Sequence, residues 1–119
     1  GFIENKTARY EQYKAALDGV KGFSMLPFRE GTRSNHWFYS LYLKDSGLDR
    51  DTVIAKLQEQ GIQTRPVWAL INEQADYPKN EAYALEKAQG YRKYIVNLPC
   101  STNLSMEDCE RVCQAVLAL

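Results

Sequence analysis

The sequence predicts a two-layer α+β domain, and three observations carry that reading. Short runs of strand character alternate with segments of helical period, the helical segments are long enough to cover one face of a sheet, and 119 residues suit a single apolar core. No repeat or low-complexity tract interrupts the pattern.

The elements follow in order. Phe2, Ile3, Tyr10, Tyr13 and Leu17 recur at an approximate helical period, with charged residues between them and Gly19 as the stop signal, so residues 2–18 read as a helix. No capping side chain precedes it, which points to a piece of a longer chain. Residues 22–25 read as a short strand, and PFREGTRSN (27–35) as a loop. HWFYSLYL (36–43) is dense in aromatic residues, which favour a pleated surface, and predicts a strand. Its alternation puts Trp37, Tyr39, Leu41 and Leu43 on one face and His36, Phe38, Ser40 and Tyr42 on the other. Asp49 or Asp51 caps a helix striped by Val53, Ile54 and Leu57 that ends at Gly61. Residues 62–67 form a strand that Pro66, having no N–H, confines to a sheet edge or to its own exit. Asn80 caps a helix running to Gln89 and stopped by Gly90. YIVNL (94–98) is a buried strand closed by Pro99. Ser105 and Asp108 approximate a capping box for a last helix, whose Met106, Cys109, Val112, Cys113 and Val116 share one face.

Fifteen basic and fifteen acidic side chains leave no net charge, so the electrostatic footprint of a nucleic-acid or membrane-surface binder is missing. No apolar run approaches the roughly 20 residues that cross a bilayer, and GFIENKTARYEQ lacks the form of a signal peptide. The expected location is the cytoplasm. Three cysteines fit no disulfide framework and read as reduced thiols. Cys109 and Cys113 stand four apart on a helix, but a structural zinc site needs four ligands and His36 is the sole histidine, so core packing is the better account and no metal is expected. Cys100 with His36 as its base has nothing in the sequence to support it beyond the inventory. Stacking of nucleobases on the aromatic strand is a further reading, which the missing basic patch disfavours against packing of both strand faces.

The segment TRPVWALINEQADY (64–77) fits neither strand alternation nor a clean helix. Arg65 precedes a proline, so its backbone is held extended and its guanidinium leaves the sheet near a strand end. Trp68 offers a flat apolar wall, Asn72 a neutral donor and acceptor, and Tyr77 a phenolic hydroxyl. From the residues alone, a ligand site and an irregular crossover that plugs the core edge are equally open.

At this point the sequence resembles a known family, the pyridoxal-phosphate-dependent sugar aminotransferases of the DegT and StrS type. The matching stretches are FIENKTARYEQYKAAL, SNHWFYSLYL, KLQEQGIQTRPVW, INEQADY and YIVNLPCSTNLSMEDCERV, in the family's order and over essentially the whole chain. Asn72 stands where many members have histidine, whereas Gln74 and Tyr77 keep the pattern. Asparagine hydrogen-bonds a hydroxyl or phosphate oxygen but is no acid or base near neutral pH, which leaves that position a binding role.

The resemblance implies a short, mainly antiparallel sheet of about three strands packed against helices, as in the C-terminal domain of fold-type I aminotransferases. It implies that residues 1–119 are a C-terminal small domain without the N-terminal large domain that carries the Schiff-base lysine, so that no catalytic or cofactor-binding residue lies here and the piece alone is inactive. In the whole protein, pyridoxal 5'-phosphate would pass an amino group from glutamate to a keto sugar nucleotide, with TRPVW pointing to a UDP-linked N-acetylated 4-keto hexose and so to surface polysaccharide or glycan biosynthesis. Arg65, Trp68, Asn72 and Tyr77 are the implied substrate-binding residues, and the implied partners are the large domain and a second copy in a homodimer. The rival expectation is a stand-alone α+β module for small-molecule binding or oligomerisation.

Overall fold

A computed structural model describes residues 1–76 and 81–119, in the order α1 (Phe2–Leu17), β1 (Ser24–Met25), β2 (Tyr39–Tyr42), α2 (Arg50–Glu59), β3 (Arg65–Pro66), a 3-10 turn (Ile71–Glu73), α3 (Glu86–Tyr94), β4 (Ile95–Leu98) and α4 (Met106–Leu117). The expected α+β class is what the chain adopts. Among the described residues four strands, rather than about three, make one sheet in the order β1-β2-β4-β3, and each pairing is antiparallel.

The helices α1, α2 and α4 cover one face of that sheet. Tyr10, Tyr13 and Leu17 from α1, Val53 and Leu57 from α2, and Cys109, Val112, Cys113 and Val116 from α4 close over Tyr39, Leu41, Val96 and Leu98. Removing each such side chain from water contributes about 1.5–3 kcal/mol, and this burial, not helix propensity, holds the layer together. Burial also keeps the thiols protonated: it pushes Cys109 up, and Cys113 to about 11. These two cysteines are core residues, as their spacing suggested.

The N-terminal caps of α2 and α4 are where the sequence put them. The Asp49 carboxylate accepts from the Thr52 N–H at 3.0 Å, and Ser105 and Asp108 satisfy each other's backbone N–H groups in a capping box. Ion–dipole and hydrogen-bond contacts to these caps hold both carboxyls below the usual aspartate range, chiefly through Thr52 and Ser105 respectively. Gly22 has a left-handed φ of +79°, and a Cβ there would lie 2.1 Å from the Asp45 carbonyl oxygen, so no other residue fits that turn.

Several expectations need correction. Phe2 and Ile3, which carry the helical period of α1 together with the buried Tyr10, Tyr13 and Leu17, are exposed, and so is Met106, which sits in the first turn of α4 beside Arg9. The aromatic strand starts at Tyr39, not at His36. His36 has φ +51°, its N–H is taken by the Ser34 hydroxyl, and the Trp37 N–H is taken by the Asn35 side chain, so local turns outcompete the ladder. Trp37 therefore leaves the face of Tyr39 and is 65% exposed. The strand expected over 62–67 pairs only at Arg65 and Pro66, at the sheet edge that proline allows. Gly90 lies inside α3 instead of ending it. A mid-helix glycine costs about 1 kcal/mol, and here Arg92 offsets it by reaching the Val67 carbonyl at 3.0 Å and the Glu73 carboxylate at 3.6 Å. The cap expected at Asn80 lies outside the described residues.

Candidate functional site

Antiparallel register decides which side chains share the uncovered face of the sheet. Arg65 is opposite Asn97, and Asn97 is opposite Ser40, so the three form a row across β3, β4 and β2. Directly opposed residues point to the same face. The Ser40 hydroxyl donates to Asn97 Oδ1 at 2.8 Å, which satisfies part of a buried amide. The guanidinium at the end of the row is exposed, and among the described residues no carboxylate pairs with it.

Beside Arg65 lies an open hollow of about 200 Å³, lined by Phe38, Gln63, Arg65, Asn97, Leu98, Pro99 and Cys100. Phe38 in that lining is the middle member of a chain of aromatic rings. Trp68, 67% exposed, meets Phe38 edge-on with centroids 4.9 Å apart, and Phe38 stacks on Trp37 at 5.2 Å and 22°. Such contacts each contribute about 0.5–1.5 kcal/mol beyond area burial, so the rings brace one another although they face solvent.

Lys6 ties to α1 both Cys100, in the hollow's lining, and Trp37, the neighbour of Phe38 in that lining. Its ammonium donates to the Cys100 carbonyl at 2.7 Å and to the Trp37 carbonyl at 3.1 Å, and stands 5.5 Å from the ring centre of Tyr39. The Tyr39 hydroxyl in turn donates to the Lys6 carbonyl at 2.9 Å. Burial, with Cys100 next in effect, raises the Tyr39 phenol to about 12, so it stays a donor over the working range.

Of the four expected site residues, Arg65 and Trp68 come together around Phe38. Asn72 is half-buried in the 3-10 turn and does not line this hollow, and Tyr77 lies outside the described residues. The turn is held in place: Glu73 accepts the Leu70 N–H and faces Arg92 of α3. Sequence reasoning missed Gln63, Asn97 and Lys6, and it set Trp37 and Phe38 aside as packing residues of the aromatic strand. Asn97 carried a signal, being the one polar side chain in the apolar run YIVNL. Lys6 carried none, since its partners are 31 and 94 residues away.

Cys100 and His36 do not form a nucleophile–base pair. No hydrogen bond joins them among the described residues; the His36 ring is wedged between Tyr10 at 4.8 Å and Phe28 at 5.0 Å, and burial holds its pKa below the usual value. Among the described residues no cluster of three or more His, Cys, Asp or Glu could hold a metal, and no helix is long and apolar enough to cross a membrane.

EpsN of Bacillus subtilis (strain 168), whose description is that of a pyridoxal phosphate-dependent aminotransferase, is 26% identical over 98% of this chain and 31% of its own length. The aminotransferase TlmJ from Streptoalloteichus hindustanus superposes with a TM-score of 0.84 at 25% identity, over 98% of this chain and 31% of TlmJ. DesI, solved in the presence of its TDP-sugar product, has a TM-score of 0.87 at 19% identity over 98% of this chain and 30% of its own, and so shares the fold. The chain thus spans about a third of the length of these relatives. The family model described as the DegT/DnrJ/EryC1/StrS aminotransferase family matches residues 1–117, and this chain belongs to that family.

Proposed function

We propose that the chain is the C-terminal small domain of a pyridoxal-phosphate-dependent, cytoplasmic aminotransferase that moves an amino group from glutamate to a keto sugar nucleotide, and that its share of the work is to hold substrate. The observation that carries this is the exposed Arg65 guanidinium beside an open hollow, unopposed by acid among the described residues. A guanidinium stays charged and offers a forked two-point contact, which suits a donor carboxylate or a phosphate. Trp68 would bound the sugar, with Asn72 and Tyr77 completing that side from the crossover. A UDP-linked N-acetylated 4-keto hexose is the proposed acceptor, a homodimer the proposed assembly, and surface glycan synthesis the proposed setting.

These residues do not fit the cofactor. A pyridoxal phosphate site needs a lysine free to form an imine and a partner for the pyridine nitrogen. The hollow has neither lysine nor carboxylate in its lining, and the ammonium of Lys6 is engaged by two carbonyls. No step through the cofactor is assigned to this chain.

Expression of the complete gene tests the reading. The expected result is a larger polypeptide with the cofactor's visible absorbance that aminates a keto sugar nucleotide at the expense of glutamate, while residues 1–119 alone show neither. A gene whose reading frame starts at residue 1, or a longer product without cofactor absorbance, would favour the stand-alone binding module instead.

A further inference from the structure

We propose that the cleft between α1 and the loop before β2 binds a free α-amino acid with a large apolar side chain. This place shares no lining residue with the hollow beside Arg65 and does not depend on the sugar-nucleotide reading. The cleft measures about 620 Å³, within the range of small-molecule sites. Ile3, Glu4, Thr7 and Ala8, neighbours on one face of α1, form its first wall. Phe28, Thr32, Arg33, Ser34 and His36 form the second. His36 sets this cleft apart from an ordinary surface groove. It is 9% exposed, its Nδ1 is buried with no hydrogen-bond partner among the described residues, and its backbone is held at φ +51°. Buried polar atoms are ordinarily paired, and left-handed backbone at a residue with a Cβ is strained, so both features mark this wall as more than core closure requires.

The polar groups of the two walls specify two charges on the ligand. Arg33 is the one guanidinium in the lining, and among the described residues no carboxylate pairs with it. Next to it, the Ser34 oxygen accepts the His36 N–H at 2.9 Å, which leaves the hydroxyl hydrogen to give. The loop wall therefore suits a carboxylate, which takes a fork and a hydroxyl together. The α1 wall is the reverse. The Thr7 hydroxyl donates to the Ile3 carbonyl at 2.7 Å and so offers the cleft only lone pairs. Glu4 adds a carboxylate, and the group it holds is an α-ammonium, that of Gly1, which stands in for the ligand's own. Among the described residues Glu4 and Arg33 do not pair with each other, although they line one cleft. Ile3 on one wall and Phe28 on the other bring exposed apolar surface. An amine alone would leave Arg33 unanswered, and an acid alone would leave Glu4 and Thr7 so, whereas a zwitterion with an apolar body meets every group.

His36 is the sole histidine, so its ring protons give an isolated proton-NMR signal from the cleft wall. Titration of the 119-residue protein with L-phenylalanine is expected to move that signal saturably. Phenylpropionate and phenethylamine, each with one of the two charges, are expected to bind roughly tenfold or more weakly. Glycine, which lacks the body, and glutamate, whose side chain brings a further charge to apolar surface, are expected to bind more weakly too. Arg33→Ala should weaken phenylalanine and phenylpropionate while leaving phenethylamine unchanged, and Glu4→Gln should weaken phenylalanine and phenethylamine while leaving phenylpropionate unchanged. Both side chains are exposed, so neither change should unfold the domain. Acetylation of Gly1 removes the competing ammonium and should strengthen phenylalanine binding. The inference is overturned by a His36 signal that stays fixed up to the solubility limit of phenylalanine. It is equally overturned if phenylpropionate, phenethylamine or glutamate binds as tightly as phenylalanine, or if phenylalanine binding is unchanged in both Arg33→Ala and Glu4→Gln.

Discussion

Replacing Tyr39 by alanine is expected to destabilise the domain by about 3–5 kcal/mol, the cost typical of removing a buried aromatic ring. Tyr39 has no exposed surface and packs against Tyr13 at 5.5 Å and Tyr10 at 6.3 Å, at the seam where α1 crosses β2. Its hydroxyl closes a reciprocal tie to Lys6. Tyr39→Phe should therefore cost only about 1 kcal/mol, the net worth of one hydrogen bond. Urea denaturation of both variants checks this. Equal costs for the two would mean that the hydrogen bond, and not the ring, supports the seam.

Lys6→Met is expected to lose about 1.5–3 kcal/mol, since it removes an ionised donor from two backbone carbonyls while keeping much of the side-chain volume. The loss should be visible at the site as well as in stability, because those carbonyls belong to Cys100 in the hollow's lining and to Trp37 next to Phe38. Tryptophan emission should shift towards that of free indole under native conditions, and Lys6→Arg should restore part of the difference. A variant with wild-type stability and unchanged emission would show that these two segments are held by other contacts.

The layer of the fold that depends on local rules was legible in the sequence. Asp49, Ser105 and Asp108 cap where turn chemistry says they should, and Pro66 lies on the edge strand because it has no N–H to give. What the sequence hid were outcomes decided by distant partners. Gly90 passes as a helix stop until Arg92 is seen gripping Val67 and Glu73. Trp37 reads as a core residue until the side chains of Ser34 and Asn35 capture the backbone and turn it outward. The same holds for the site. Arg65 and Trp68 could be singled out from their composition and from the family resemblance, but Phe38 and Asn97 join them only through the register of β2, β4 and β3.

The central claim is that the Arg65 guanidinium holds substrate in the complete enzyme. Rapid-mixing absorbance of that enzyme carrying Arg65→Ala, with glutamate and the keto sugar nucleotide added separately, tests it most directly. The account predicts a fall in kcat/KM of roughly tenfold or more, equivalent to about 1.4 kcal/mol of transition-state binding, in the sugar-nucleotide half-reaction, partly recovered by Arg65→Lys. Wild-type rates in both half-reactions would contradict it and return the segment 64–77 to the role of a structural crossover.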